Sequence, residues 1–264
     1  MQYNMLDIIR EKDEKNLRSY LKESGKIEVL SESAQFLDKR SYLTIDTKGD
    51  IKRKKGNLAL PVFSFLKTED DYIEVLLNSC DIKERQNLDK IERYSNLDIE
   101  KVKLNYIKTL FNGNLEFSKR YGKELFLRDR ETFFKISSNF ALIGDDNIKP
   151  LMVLSLKELM KEYNENIFYI FISYMTKSRD NTAFYENAES YLGSVEELRS
   201  ELFLNKELLE SLEGLQILTS LALIDVVEVD NREKILGKLK AMIESKKLYT
   251  PLKDIEKRVL NVFL

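Results

Sequence analysis

The chain has no histidine and no tryptophan, and only one cysteine, three prolines and nine glycines in 264 residues. Without an imidazole it lacks the side chain that ordinarily titrates near neutral pH and the commonest transition-metal ligand. Serine, cysteine and threonine nucleophiles that depend on histidine are therefore excluded, and acyl-transfer and zinc-hydrolase chemistry go with them. The lone Cys80 rules out an intramolecular disulfide and a cysteine-rich zinc site, which fits a reducing compartment. The scattered glycines never form GxGxxG or GxxxxGK, so no phosphate-binding fingerprint is present. Forty-three basic against forty-five acidic residues leave a net charge of −2, and no global field draws the chain to nucleic acid or an anionic membrane.

Long hydrophobic runs are missing too. The most apolar stretch, Ile167 to Met175, is nine residues, whereas a bilayer span needs about twenty. No apolar segment of signal-peptide length lies between Met1 and Lys15, so the expectation is a cytoplasmic protein.

What is present favours helix. Few Pro and Gly with abundant Leu, Lys and Glu predict a mainly α chain. Leu17, Tyr20 and Leu21 make a helical stripe with Gly25 as C-cap, and Ile27, Leu30, Ala34 and Leu37 continue the period. Residues 42–45 and 58–63 read as the strands of a β-hairpin, with Pro61 on an edge. Helix resumes at Thr68, an N-cap with Asp71 three residues on, and again at Asp98, with Ile99, Val102, Tyr106, Ile107 and Leu110 at helical spacing up to Gly113.

Further helices are predicted at about 115–128, 130–143, 148–163 and 166–177. Ser194 with Glu197 forms a capping box opening a helix to about 212, closed by Gly214; Leu215 to Val227 is another helix; Ile235, Leu239, Met242 and Ile243 form a stripe; and Thr250-Pro251 starts the last helix. Between Tyr121 and Asp180 the sequence partly repeats at an offset of 34 residues: Lys123-Glu124-Leu125 falls on Lys157-Glu158-Leu159, Phe134 on Phe168 and Asp146 on Asp180. A stacked helix-turn-helix unit gives a period of about 34. In size alone this resembles tetratricopeptide and HEAT-type solenoids, whose positional signatures are not met. The expected fold is mainly α, with stacked antiparallel helix pairs over 68–264 preceded by a small α/β-hairpin cap over 1–67.

Two local clusters carry chemistry. Lys48, Lys52, Arg53, Lys54 and Lys55 surround Asp50 with a local excess of four positive charges, a pattern that suits phosphate contacts but is better explained as protecting an edge strand from aggregation. Asp46, Asp50 and Lys52 resemble a nuclease metal site in residue type, but the short spacing fits a solvated turn better. Glu69-Asp70-Asp71 and Asp145-Asp146 read as helix-start acids, and Cys80 as core packing. No catalytic residue, cofactor or metal is implied. The leading expectation is a non-enzymatic protein-interaction or regulatory protein whose partner is another protein. The alternatives are a nucleic-acid-binding protein using residues 48–55 and, behind it, an enzyme using carboxylates.

Overall fold

Short polar side chains set where the helices begin. In the computed structural model, which describes residues 4–37, 43–45, 47, 51–53, 57–86, 88, 94–178, 180–245 and 249–264, the protein is mainly helical. Helices α1 (Met5–Glu11) and α2 (Glu14–Ser33) are followed by strands β1 (Leu43–Ile45) and β2 (Ile51–Arg53), then by α3 (Ala59–Phe65), α4 (Glu69–Ser79), α5 (Ile99–Phe111) and α6 (Leu115–Arg128). Next come α7 (Arg130–Ile143), α8 (Lys149–Leu159), α9 (Glu165–Lys177), α10 (Ala183–Asn187) and α11 (Val195–Leu204). The chain finishes with α12 (Lys206–Leu209), α13 (Leu212–Val226), α14 (Arg232–Glu244) and α15 (Asp254–Leu260). Thr68, Asp98, Asp129 and Asn164 each accept a backbone N–H from the first turn they precede, and Ser194 with Glu197 completes a reciprocal capping box. Gly25 takes φ +78° inside α2 and kinks it, a conformation that favours a residue without Cβ.

Three expectations are corrected. Residues 58–63 are not a strand: they form most of α3, with Leu58 through Phe63 buried. The Asn57 side chain accepts the Ala59 N–H at 2.8 Å, and Pro61 falls in the first turn, where its missing N–H is not needed. A short run that is apolar on every side has no period to separate strand from helix. The hairpin joining 42–45 to 58–63, and with it the α/β-hairpin cap, is therefore not the arrangement seen; β1 instead pairs antiparallel with β2, Ile45 opposite Ile51.

The helix expected from Ser194 to about 212 is broken into α11, α12 and the start of α13. Asn205 caps α12 through the Leu208 N–H, and Ser211 caps α13 through the Gly214 N–H, so Gly214 lies in a first turn and closes nothing. Thr250-Pro251 likewise does not open the last helix. The Glu213 carboxylate accepts both the Thr250 N–H and its hydroxyl at 2.9 Å, Pro251 bridges to Ser211, and α15 begins at Asp254. A tertiary acceptor took the groups that would have capped a helix.

The chain divides into two compact units. One holds Met1–Leu127 and Ser155–Ser178, the other Arg128–Leu154 and Arg179–Leu264. In the first unit α9 packs against α2, α3 and α5, and Ile167 through Thr176 are all buried. Phe126, Tyr163 and Phe168 gather there, with ring centroids 5.5–6.4 Å apart. In the second, α13 packs against α11, α12 and α14, and α14 also meets α10.

Candidate functional site

Two features stand out by charge and exposure, one in each unit.

In the second unit, the loop between α7 and α8 is held by buried ions. On α8, Lys149 shares a stripe with Met152, Val153 and Leu156, at the i, i+3, i+4, i+7 spacing of a core face, and its side chain is fully buried. On α14, Lys238 shares such a stripe with Ile235, Leu239 and Met242 and is 1% exposed. A buried ammonium is costly unless each of its protons meets an acceptor. Lys149 Nζ donates to Asp180 Oδ2 at 2.6 Å and lies 4.5 Å from the centre of the Phe140 ring. Lys238 Nζ donates to the Leu142 carbonyl at 2.8 Å and to the Gly144 carbonyl, with Asp145 Oδ1 at 3.5 Å.

Asp180 is the centre of the arrangement. Its Oδ1 accepts the N–H groups of Asp145 at 2.6 Å, Asp146 at 2.9 Å and Asn181 at 3.0 Å, leaving Oδ2 for Lys149. Gly144 favours so close an approach, because a Cβ there would collide with the Asp180 carboxylate. Asp146 turns the other way and caps α8, accepting the N–H groups of Ile148 and Lys149. From α13, Gln216 accepts from the Asn147 amide at 3.0 Å and donates to the Gly144 carbonyl. Burial holds the Lys238 ammonium below its ordinary value, and the nearby Asp145 and Asp180 carboxylates only partly oppose that.

Chemically, the cluster combines two lysines and two paired aspartates, a set able to move protons or form imines. Both ammonium groups are sealed from solvent and have acceptors within the fold, so the arrangement fastens a loop. Among the described residues no group of three or more Cys, Asp or Glu is placed to hold a metal ion.

The second feature lies on α5 in the first unit. Val102, Tyr106 and Leu110 face inward and are buried. On the opposite side of the same helix Leu104 and Phe111 are 55% and 57% exposed, with Ile107 half-buried between them. Lys101 and Lys108 flank this outer stripe on one side and Lys103 on the other. Asp98 and Glu100 sit at the helix start, where they pair with Lys101 at 3.3 Å and Lys103 at 3.0 Å.

The residues singled out from sequence fare unevenly. Lys48, Lys54, Lys55, Asp46 and Asp50 lie outside the described residues; Lys52 and Arg53 belong to β2, and their side chains lie outside the description too. Glu69 and Asp70 at the start of α4 pair with Arg18, at 3.6 and 2.7 Å. Cys80 is the C-cap of α4, half-buried, and pairs through its backbone with Leu37. Lys149, Asp180 and Lys238 were missed, although a lysine at i+3 on an apolar stripe is itself a signal. No protein-family model, no curated protein and no solved structure matches the chain. Among the described residues no helix is long and apolar enough to cross a membrane.

Proposed function

We propose that this is a non-enzymatic protein-interaction protein, with a helical scaffold of solenoid-like antiparallel pairs that works in the cytoplasm and docks another protein on the outer face of α5. The observation that carries this reading is the two-sided apolar character of α5. A helix needs one buried stripe, and Val102, Tyr106 and Leu110 supply it. Leu104, Ile107 and Phe111 repeat the pattern on the opposite face, where Leu104 and Phe111 are more than half exposed. Exposed apolar residues scattered singly are ordinary, but a stripe at helical spacing is the form in which a helix presents itself to a partner. The sealed lysine cluster supports the same view, since its polar groups are spent on holding a loop.

A photo-crosslinking residue at position 104 or 107, introduced in the source cell, tests the reading. Discrete protein adducts that resist nuclease and are missing when the crosslinker sits at exposed Glu11 are expected. An absence of adducts at both positions, or adducts to nucleic acid alone, would overturn it.

A further inference from the structure

Taking that interaction reading as its basis, we infer that the partner segment is an amphipathic helix whose apolar face is edged by acidic residues. The stripe Leu104, Ile107, Phe111 has the i, i+3, i+7 spacing that a second helix meets with its own apolar seam. Residues beside such a seam decide which partner is accepted, because their charges come together when the apolar faces meet. On α5 those positions are lysines on both edges: Lys101 and Lys108 on one, Lys103 on the other. The two acids of the helix, Asp98 and Glu100, are confined to its start, where Asp98 accepts the Lys101 N–H as N-cap and the two carboxylates pair with the Lys101 and Lys103 ammonium groups, so that Lys108 is the edge lysine farthest from either acid. From Lys103 to Phe111 the helix carries no acid at all.

This pattern selects against a second copy of the chain. In a parallel pairing of two α5 helices Lys103 of one meets Lys108 of the other; in an antiparallel pairing Lys101 meets Lys108, and Lys103 meets Lys103. Every edge then places like charges together, which disfavours association. An acid-edged helix meets attraction on both edges and still covers the apolar stripe.

The test uses two synthetic amphipathic helices of about three heptads with the same Leu and Ile seam, one edged by Glu and one by Lys. Binding to the whole protein is measured by fluorescence anisotropy at low and high salt. The Glu-edged peptide is expected to bind about tenfold tighter, with the difference shrinking as salt rises. The charge-swapped variant K101E/K103E/K108E should reverse the preference, and L104S/F111S should bind neither peptide while keeping its circular dichroism and melting temperature. Lys108→Glu alone, at an exposed position, gives a milder change in the same direction should the triple variant misfold.

Equal affinity for both peptides would overturn the acidic partner and leave the docking face standing. Failure of both peptides alongside positive crosslinks at position 104 would do the same, whereas failure of both together with absent crosslinks removes docking altogether. Self-association that L104S/F111S abolishes would make the occupant a second copy. Duplex DNA binding that depends on the three lysines and ignores L104S/F111S would make it a polyanion.

Discussion

The lysines of α5 and those of the α7–α8 loop cluster are the same side chain put to opposite uses. On α14, Lys238 takes a position in the apolar stripe and is buried; on α5, Lys101, Lys103 and Lys108 flank an apolar stripe that is itself left in solvent. The first arrangement spends charge on the fold, because carbonyls and carboxylates in the loop consume the ammonium protons. The second keeps its charge at the surface, with Lys101 and Lys103 in ion pairs to Asp98 and Glu100, and leaves Leu104 and Phe111 more than half exposed. Burial alone therefore separates a structural lysine from one available to a partner, and composition cannot.

That contrast makes its strongest demand on Lys238. Lys238→Met removes the donor for the Leu142 and Gly144 carbonyls and the charge facing Asp145, so urea denaturation should show a loss of roughly 3 kcal/mol, the scale for breaking a buried pair from one side. A neutral result would mean the ammonium fastens nothing. Asp180→Asn should cost somewhat less, about 2 kcal/mol, since the amide oxygen still accepts backbone N–H groups while Lys149 loses its carboxylate. Hydrogen exchange of the 144–149 amides should quicken in the same variant.

The pH dependence follows from Lys238 as well. Its unfolded value is the ordinary 10.5, and burial lowers the folded one. Between the two the unfolded chain binds more protons than the folded protein, so this group's contribution to stability rises with pH through that window and is complete above it. The parent-minus-Lys238→Met difference in urea midpoint should grow as pH is raised towards 10.5; a flat difference would place Lys238 in a water-like setting. A smaller effect is expected from Ser194→Ala, about 1 kcal/mol through the lost capping box. Least of all, L104S/F111S should leave stability within about 0.5 kcal/mol of the parent, as exposed positions do. A large loss there would show that the outer stripe of α5 belongs to a core after all.

How far the sequence leads depends on whether a local rule had a competitor. Helices α5, α6, α7 and α9 lie at or within a residue of their expected bounds; Asp98, Asp129 and Asn164 each accept a first-turn N–H of α5, α7 and α9, and Asn164 keeps that role although Ser31, far off in the chain, donates to the same oxygen. At Thr250 the rule lost to Glu213, 37 positions earlier in the chain. Over 58–63 no rule applied, since an unbroken apolar run has no face. The lysine cluster was half legible: Lys149 and Lys238 interrupt apolar stripes, but Asp180 is 31 residues from Lys149, and nothing local links them. The outer stripe of α5 was not read from the sequence: Ile107 was grouped with Val102, Tyr106 and Leu110, and Leu104 and Phe111 were not singled out.

The chain leaves the first unit after Leu127, returns at Ser155 and leaves again after Ser178, and this order governs how the molecule emerges during synthesis. Helices α1 to α6 appear before α9 exists, so the inward faces of α2, α3 and α5 wait for a strut that arrives late. The second unit waits longer: the carbonyls of Leu142 and Gly144 stay hydrated until Lys238, 96 and 94 residues on, has been made. A chain stopped at Leu127 would carry α5 with α6 against Tyr106 but without α9, and its inner stripe would lack part of its cover. Neither unit can then be obtained by cutting the gene at one place, and a ribosome that pauses between Leu127 and Ser155 holds out an α5 whose inner stripe still waits for α9.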